Sequence, residues 1–141
     1  MHYHNQHRPF EIELTIPVCT YDIDFAGIVS NIVYIRWLED LRFKLLDEHL
    51  PLDRQVEQGY APILTETQIE YKRSIKLFDR VVGRLWVSNL GRIKWTVQAE
   101  IITNNQLAAK ATQMGAFVSL DNNRPIPIPE ELLHKYIDRK R

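Results

Sequence analysis

Two acidic residues and a glycine stand just before the most strongly helical stretch of the chain. Asp22, Asp24 and Gly27 fall within segment 21–31, which leads into a helix predicted to start near Ser30. The amides of a helix start can stabilise an oxyanion, and a nearby carboxylate can act as a nucleophile or as a general base for water. One interpretation of the pattern is therefore catalysis at a carbonyl carbon. The same residues also fit a structural turn, in which an acid accepts backbone N–H bonds, Gly27 takes a positive φ and Ser30 caps the helix.

Other hydrolytic and nucleotide-binding motifs are missing from the sequence. It contains no Gly-x-Ser-x-Gly elbow, no Walker loop and no Gly-x-Gly-x-x-Gly. Cys19, the only cysteine, has no histidine partner in the pattern, and His49 and His134 lie in predicted helices. The other three histidines fall in residues 1–9, a predicted flexible leader. Fixed zinc sites need ligands on a framework, so no metal site is expected. An enzyme built from this sequence must rely on carboxylates and backbone amides.

One long helix and a series of alternating strands must position these residues. The helix is predicted to end before Pro51, and its polar face carries Arg36 and Asp40 as a surface pair at i,i+4 spacing. Its apolar face is formed by Tyr34, Leu38, Leu41 and Leu45. Strands are predicted at residues 10–20, 63–74, 81–90, 93–103 and 107–120. Gly115 is expected to mark a bulge, and Pro129 to open a terminal helix that is followed by a tail up to residue 141.

This order of elements predicts an α+β fold in one domain that covers residues 1–141. A single helix that is apolar over half its girth needs a curved sheet to cover it, and such a sheet leaves an edge strand for a second copy to extend. A homodimer or homotetramer is therefore expected. The 18 Lys and Arg balance the 18 Asp and Glu, which argues against nucleic acid as a partner. No apolar run is long enough to cross a membrane, and the lone cysteine favours a cytoplasmic location.

The acidic segment and the first half of the helix together resemble a family signature. Residues 22–29 fit Asp-x-Asp-x-x-Gly followed by Ile-Val, and residues 34–39 fit Tyr-x-x-Trp-Leu-Glu. This pattern is similar to that of the hotdog-fold acyl-CoA thioesterases of the 4-hydroxybenzoyl-CoA thioesterase type. The resemblance extends over nearly the whole chain. It implies a hotdog fold, in which a curved antiparallel sheet wraps a long central helix.

The resemblance also implies an activity and roles for particular residues. The reaction would be hydrolysis of an acyl-CoA or acyl-carrier-protein thioester to a free acid and a thiol, without a cofactor or metal. Asp24 matches the catalytic carboxylate, acting as nucleophile or general base. Gly27 matches the glycine of the tight turn, and Asn31 matches the position whose backbone amide polarises the thioester carbonyl. The chain departs from the family pattern at Ser30-Asn31, where Tyr or His is common.

Three further groups of residues have a possible functional role, as phosphate ligands or as a catalytic acid, and a structural alternative. In the related thioesterases, basic residues in the segment that resembles 91–95 contact the nucleotide, so Arg92 and Lys94 are the preferred ligands for the CoA phosphates. The other basic candidates are Lys72, Arg73 and Lys76. Solvated strand-end charges are the alternative for each of them. Glu39 is a backup catalytic acid, although an anchoring ion pair between Glu39 and Arg42 is the preferred interpretation.

Two alternative functions remain beside the thioesterase. One is a non-catalytic acyl-binding or assembly module on the same scaffold, because a fold alone does not determine function. The other is a hydratase or dehydratase, which is disfavoured because no histidine stands beside Asp24 in the sequence. The sequence leaves open the acyl group, the carrier, and the choice between dimer and tetramer.

Overall fold

A computed structural model describes residues 7–140 of the chain. One six-stranded antiparallel sheet and three helices form the structure, which confirms the α+β class. The helices are α1 (Asn31–His49), α2 (Leu52–Glu57) and α3 (Glu130–Lys140). The strands are β1 (Ile12–Ile16), β2 (Tyr60–Tyr71), β3 (Val81–Leu90), β4 (Trp95–Thr103), β5 (Gln106–Ser119) and β6 (Pro125–Ile126). A short 3-10 helix, Thr20–Asp22, connects β1 to the segment before α1.

The strands follow the order β1-β3-β4-β5-β2, and β6 pairs with the end of β5. Asn104 and Asn105 both have positive φ, 53° and 59°, as the two-residue turn between β4 and β5 requires. Within residues 7–140, β2 pairs only with β5, so the second edge of this long strand is open. The structure therefore contains the free edge strand that the sequence predicts.

Helix α1 packs on the sheet with the apolar face that the periodicity predicts. Leu38 and Leu41 are fully buried, and the helix makes its main contacts with β1 and β3. The buried residues of α1 are Val33, Tyr34, Trp37, Leu38, Leu41 and Leu45. The helix starts at Asn31 and ends at His49, close to the predicted limits. Its axis therefore runs for about 27 Å, at 1.5 Å per residue, and separates two ends of the molecule.

A β-bulge interrupts the pairing between β2 and β5 near Gly115. Its extra residue belongs to β2 and not to β5, the strand of Gly115. The register shifts between Leu64 and Glu66, so Thr65 is the extra residue. Gly115 lies on the partner strand, where a Cβ atom would overlap the carbonyl oxygen of Ile63 and the ring of Trp95. The prediction of a bulge at Gly115 therefore identified the right place in the sheet but the wrong strand.

Both predicted termini contain residues that belong to the folded part. Arg8 was expected in a flexible leader, yet its guanidinium donates hydrogen bonds of 3.0 and 3.2 Å to Glu100 and lies 3.8 Å from the ring centroid of Trp86. Pro9 accepts a backbone hydrogen bond of 2.9 Å from Val87. His2 and His4 lie outside the described residues. At the other terminus, α3 extends through Lys140, where the tail was expected.

Helix α2 has no counterpart among the elements that the sequence predicts. Pro51 stops α1, and α2 then begins at Leu52. The side chain of Gln55 is buried and donates a 2.8 Å hydrogen bond to the carbonyl of Leu50, which fixes the junction between the two helices. None of the helices in residues 7–140 combines the length and the apolar character needed to cross a bilayer.

Candidate active site

The predicted catalytic residues gather at one end of the sheet. We call this the upper end, where β2 finishes at Tyr71 and β3 begins at Val81; the lower end is where β2 begins and β3 finishes. The hydroxyl of Tyr71 donates a 2.9 Å hydrogen bond to the carbonyl of Asn31, which places the start of α1 at the upper end. Val29 donates a 2.8 Å backbone bond to Ile75, which holds the segment before α1 against residues 72–80.

Asp24 lies in a closed backbone turn, residues 24–28, which we call the acidic turn. Its N–H donates to the carbonyl of Ile28 at 2.8 Å, and its carbonyl accepts from Gly27 at 3.0 Å. Gly27 has φ of 81°, a conformation that costs little only for glycine. The side-chain Oδ1 atom of Asp24 accepts the N–H of Ala26 at 2.8 Å. Its Oδ2 atom has no hydrogen-bond partner within residues 7–140, so the turn orients the carboxylate and leaves one oxygen available.

The side chain of Asp22 is bonded within the protein and holds the segment before α1 in place. Its side chain is only 4% exposed, and its Oδ2 atom accepts the N–H of Cys19 at 2.8 Å. Its Oδ1 atom lies 3.3 Å from Nη2 of Arg36, and its backbone carbonyl accepts the N–H of Ser30 at 2.9 Å. Arg36 therefore pairs with Asp22 and not with Asp40. These bonds tie the 3-10 helix to the first two turns of α1.

The first turn of α1 presents backbone amides that have no partner in the described part of the chain. Ser30 occupies the N-cap position, but its side chain makes no capping hydrogen bond, so the predicted cap is absent. Val33 donates to the carbonyl of Ser30 at 2.9 Å, whereas no acceptor among residues 7–140 faces the N–H groups of Asn31 and Ile32. Unpaired amides at the positive end of a helix dipole are suited to bind a carbonyl oxygen that gains negative charge.

Exposed apolar side chains and cations surround this end of the molecule. Residues 72–80 contact the segment before α1 through Ile75, so their basic side chains lie at the upper end with the acidic turn. These are Lys72, Arg73, Lys76 and Arg80. The sequence predicts the first three as phosphate ligands in second place, after Arg92 and Lys94. The exposed apolar residues are Tyr21 (78% exposed), Phe25 (104%), Ile32 (76%) and Phe78 (93%). The signal in the sequence that indicates this location for the cations is their position directly after β2.

Arg92 and Lys94 lie at the lower end, in the connection between β3 and β4. The carbonyl of Arg92 accepts the N–H of Ile128 at 2.8 Å, and the carbonyl of Lys94 accepts the N–H of Gly91 at 2.9 Å. The length of α1 separates this connection from Asp24. Within one chain, the structure therefore does not bring the preferred phosphate ligands to the acidic turn.

Glu39 and Arg42 do not form the predicted ion pair. Nη1 of Arg42 donates a 2.5 Å hydrogen bond to Oε1 of the buried Gln113, whose Nε2 donates to Thr67 at 3.0 Å. Burial lowers the pKa of Arg42, against the opposing effect of the Glu39 charge. Glu39 itself is exposed, and it forms no salt bridge to any of residues 7–140. Arg42 thus links α1 to β5 and β2, while Glu39 lies two turns along α1 from Asn31.

The two histidines on helices lie apart from the acidic turn. The ring centroid of His49 is 4.5 Å from that of Phe10 at the lower end, and burial lowers its pKa. His134 lies on α3. In the part of the chain that the structure describes, no three His, Cys, Asp or Glu side chains are grouped so that they could hold a metal ion.

Comparisons with known proteins match almost the whole of this architecture. A family model described as the Thioesterase-like superfamily matches residues 18–136. A protein of Aquifex aeolicus (strain VF5), named "Putative esterase", is 26% identical over 114 residues, which cover 80% of this chain and 88% of that protein. The DHNA-CoA thioesterase from Staphylococcus aureus gives a TM-score of 0.82 at 19% identity, over 92% of this chain and 89% of that one. The 1,4-dihydroxy-2-naphthoyl-CoA thioesterase from Synechocystis gives 0.82 at 20% identity, over 93% and 98%. These two structures confirm the expected hotdog fold.

Proposed function

Because this chain belongs to the Thioesterase-like superfamily and is a thioesterase, we propose that it hydrolyses acyl-CoA thioesters at the upper end of the sheet. The products are a free carboxylic acid and a thiol. The observation that supports the proposal is that, within residues 7–140, the Oδ2 atom of Asp24 and the amides of Asn31 and Ile32 have no hydrogen-bond partner and lie at the same end of the sheet. A free thiol at Cys19 supports a reducing, cytoplasmic location.

The start of α1 would bind the oxygen of the thioester carbonyl. The amides of Asn31 and Ile32 donate to this oxygen, and the helix dipole stabilises the charge that it gains as the tetrahedral intermediate forms. Fixed backbone donors need no reorganisation during the reaction, which is the main advantage of such a site. The departure at Ser30-Asn31 from the family pattern leaves these backbone groups in place, since every residue except proline supplies an N–H.

Asp24 would act on the carbonyl carbon in one of two ways. As a nucleophile, it forms an acyl-aspartyl anhydride and expels the thiolate, and water then hydrolyses the anhydride. As a general base, it takes a proton from water while the water oxygen attacks the same carbon, and the thiolate leaves. Both routes need one carboxylate oxygen free of the turn. Oδ2 meets that requirement because the N–H of Ala26 donates to Oδ1 and not to Oδ2.

We propose further that the enzyme is a homodimer joined through the open edge of β2. A long unpaired strand invites pairing with a second copy, and antiparallel pairing keeps both α1 helices on one face of a continuous sheet. Antiparallel pairing also reverses the direction of the second sheet. The lower end of one copy then lies beside the upper end of the other, and Arg92 and Lys94 approach the acidic turn of the neighbouring copy. This arrangement allows those two residues to bind the CoA phosphates.

The carrier is proposed to be CoA, with an acyl carrier protein as the other carrier to be tested. The structural neighbours from Staphylococcus aureus and Synechocystis are both named as CoA thioesterases, and they share the fold of this chain. Nucleotide phosphates need cations. Lys72, Arg73 and Lys76 supply them at the upper end of the same chain, and Arg92 and Lys94 would supply them from the second copy.

The decisive experiment is a thiol-release assay with aromatic and aliphatic acyl-CoA esters. Asp24→Asn should lower kcat by roughly 10²- to 10⁴-fold, because the amide is neither a base nor a nucleophile. Asp53→Asn is the matched control: Asp53 also accepts a backbone N–H with its carboxylate, at 2.8 Å from Arg54, but it lies in α2 at the lower end. A loss below threefold in Asp24→Asn would contradict its role.

The same assay separates the enzyme from a non-catalytic acyl-binding module. If no acyl-CoA or acyl-carrier-protein thioester is turned over, while calorimetry detects binding of acyl-CoA, the binding module becomes the better description. A binder has no need of a carboxylate beside the carbonyl, so Asp24→Asn should then leave the affinity unchanged.

A further inference from the structure

The side chain of Tyr71 reaches from the end of β2 to the first residue of α1. Its hydroxyl donates a 2.9 Å hydrogen bond to the carbonyl oxygen of Asn31. That carbonyl belongs to the peptide group whose nitrogen is the amide of Ile32, and this amide has no acceptor among residues 7–140. One peptide group therefore receives a hydrogen bond from Tyr71 on its oxygen and presents a free donor on its nitrogen.

Aromatic packing fixes the ring of Tyr71 in this position. Its ring centroid lies 5.0 Å from that of Tyr34, at an interplanar angle of 82°, and Tyr34 in turn lies 5.1 Å from Trp37. Tyr34 and Trp37 are both buried on α1, so the Tyr71 ring is packed against the helix that it contacts. The usual pKa of a tyrosine, 10.0, already keeps this hydroxyl protonated at neutral pH, and burial raises the pKa of Tyr71 further.

We propose that Tyr71 is a positioning residue for thioester hydrolysis: its hydroxyl fixes and polarises the Asn31–Ile32 peptide so that the Ile32 amide binds the oxyanion. The inference rests on the proposed function of the same site. A hydrogen bond accepted by a carbonyl draws electron density towards its oxygen and makes the N–H of the same peptide a stronger donor. The contact also restrains the first turn of a helix, which has fewer backbone bonds than its interior.

A purely structural role for Tyr71 predicts a different outcome. In that case the hydroxyl only joins β2 to α1, and its removal lowers stability without a selective effect on the chemical step. A positioning role acts where negative charge develops, so its loss lowers kcat while leaving substrate binding nearly unchanged. The split between kcat and KM therefore distinguishes the two roles.

The test compares Tyr71→Phe with Tyr60→Phe in the full-length protein, with acyl-CoA substrates. Each substitution removes one hydroxyl from β2 and keeps the ring. Tyr60 packs on Phe117 at the lower end, with ring centroids 5.8 Å apart, and its hydroxyl forms no hydrogen bond within residues 7–140. Tyr71→Phe should lower kcat about 5- to 30-fold and change KM less than about twofold. Tyr60→Phe should leave both constants within about twofold of the wild type.

A second measurement keeps the proposal testable if the wild type proves inactive. The ¹⁵N resonance of Ile32 reports the hydrogen bond to the carbonyl of the same peptide, so it should shift in Tyr71→Phe and not in Tyr60→Phe. An inactive wild type would overturn the proposed function, and an unmoved Ile32 resonance would separately overturn the role of Tyr71. Unchanged kcat in Tyr71→Phe, a change confined to KM, or an equal loss in both variants would also overturn it.

Discussion

The Nη2 atom of Arg36 lies 3.3 Å from the Oδ1 atom of Asp22, so the second turn of α1 is tied to the segment that leads into Asp24. Asp22 is almost fully buried, and its other carboxylate oxygen holds the N–H of Cys19. The position of the acidic turn thus depends on a carboxylate that takes no part in the proposed chemistry. A charged group at this depth is tolerated because both of its oxygens are bonded.

Asp22→Ala should lower the free energy of unfolding by about 1–3 kcal/mol. The substitution leaves the half-buried N–H of Cys19 without its acceptor and Arg36 without its partner, and the loss of a hydrogen bond together with a charged contact has a cost of that size. Urea denaturation at neutral pH measures the change. The matched control is Asp40→Ala, which removes an exposed acid at i,i+4 from Arg36 and should change the free energy by less than about 0.5 kcal/mol. A loss in Asp22→Ala no larger than that in Asp40→Ala would contradict the structural role of Asp22.

The contrast between Asp22 and Asp40 shows where sequence reasoning about side chains reaches its limit. An i,i+4 pair on a helix surface is worth only a few tenths of a kcal/mol, so a nearly buried carboxylate from another element competes successfully for Arg36. The same happens to Arg42, which bonds to Gln113 and not to Glu39. Local spacing predicts which pairs can form, while tertiary packing decides which of them do form.

The elements themselves could be predicted because hydrophobic periodicity determines which face of each is buried. The limits of β3 agree with the predicted strand 81–90, and α1 differs from its prediction by about one residue. Helix α2 was missed because six residues are too few for a periodic signal. The bond from Tyr71 to Asn31 spans 40 positions and has no local signature at all. The resemblance predicts Asp24, Gly27 and Asn31 as site residues, and their roles stay predictions, whereas the amide of Ile32 was added only from the hydrogen bonds.

Gly27→Ala should reduce both stability and activity through backbone strain alone. Gly27 has φ of 81°, and a Cβ atom there would meet nothing within 4 Å, so the substitution has no steric cost beyond its own backbone. An alanine in the left-handed region costs about 1–2 kcal/mol, and relief of that strain would displace the carboxylate of Asp24. Thermal or urea unfolding and the thiol-release rate measure the two effects.

Gly91→Ala is the control for this prediction. A Cβ atom at Gly91 would lie 3.6 Å from the carbonyl oxygen of Lys94, which is an ordinary contact, and Gly91 does not have a positive φ. Its free energy of unfolding should stay within about 0.5 kcal/mol of the wild type. If Gly27→Ala behaves like Gly91→Ala in both assays, the geometry of the acidic turn is required neither for stability nor for activity.

Alkaline pH should destabilise the protein through Tyr34. Burial, with a smaller contribution from Tyr71, raises the pKa of Tyr34 to about 12 from its usual value of 10.0. The folded state holds the hydroxyl proton of Tyr34 more tightly than the unfolded state does. The contribution of this group to the free energy of unfolding is therefore complete below pH 10 and is lost as the pH rises towards 12. Over that interval the wild type should lose of the order of 2 kcal/mol more than Tyr34→Phe, as measured by urea unfolding. Parallel pH profiles would contradict the prediction.

Two inactive variants should restore activity when they are mixed, if the site is shared between two copies. Asp24→Asn keeps Arg92 and Lys94, whereas the double variant Arg92→Glu/Lys94→Glu keeps Asp24. In a mixed dimer, one site combines the intact Asp24 of one chain with the intact cations of the other, and the second site carries both defects. Random mixing makes half of the dimers mixed, so the rate at low acyl-CoA concentration should recover to about a quarter of the wild-type value.

A site contained within one chain would give no recovery, because no chain in the mixture is intact. Light scattering of each variant, before and after mixing, must show the same dimer mass for the comparison to hold.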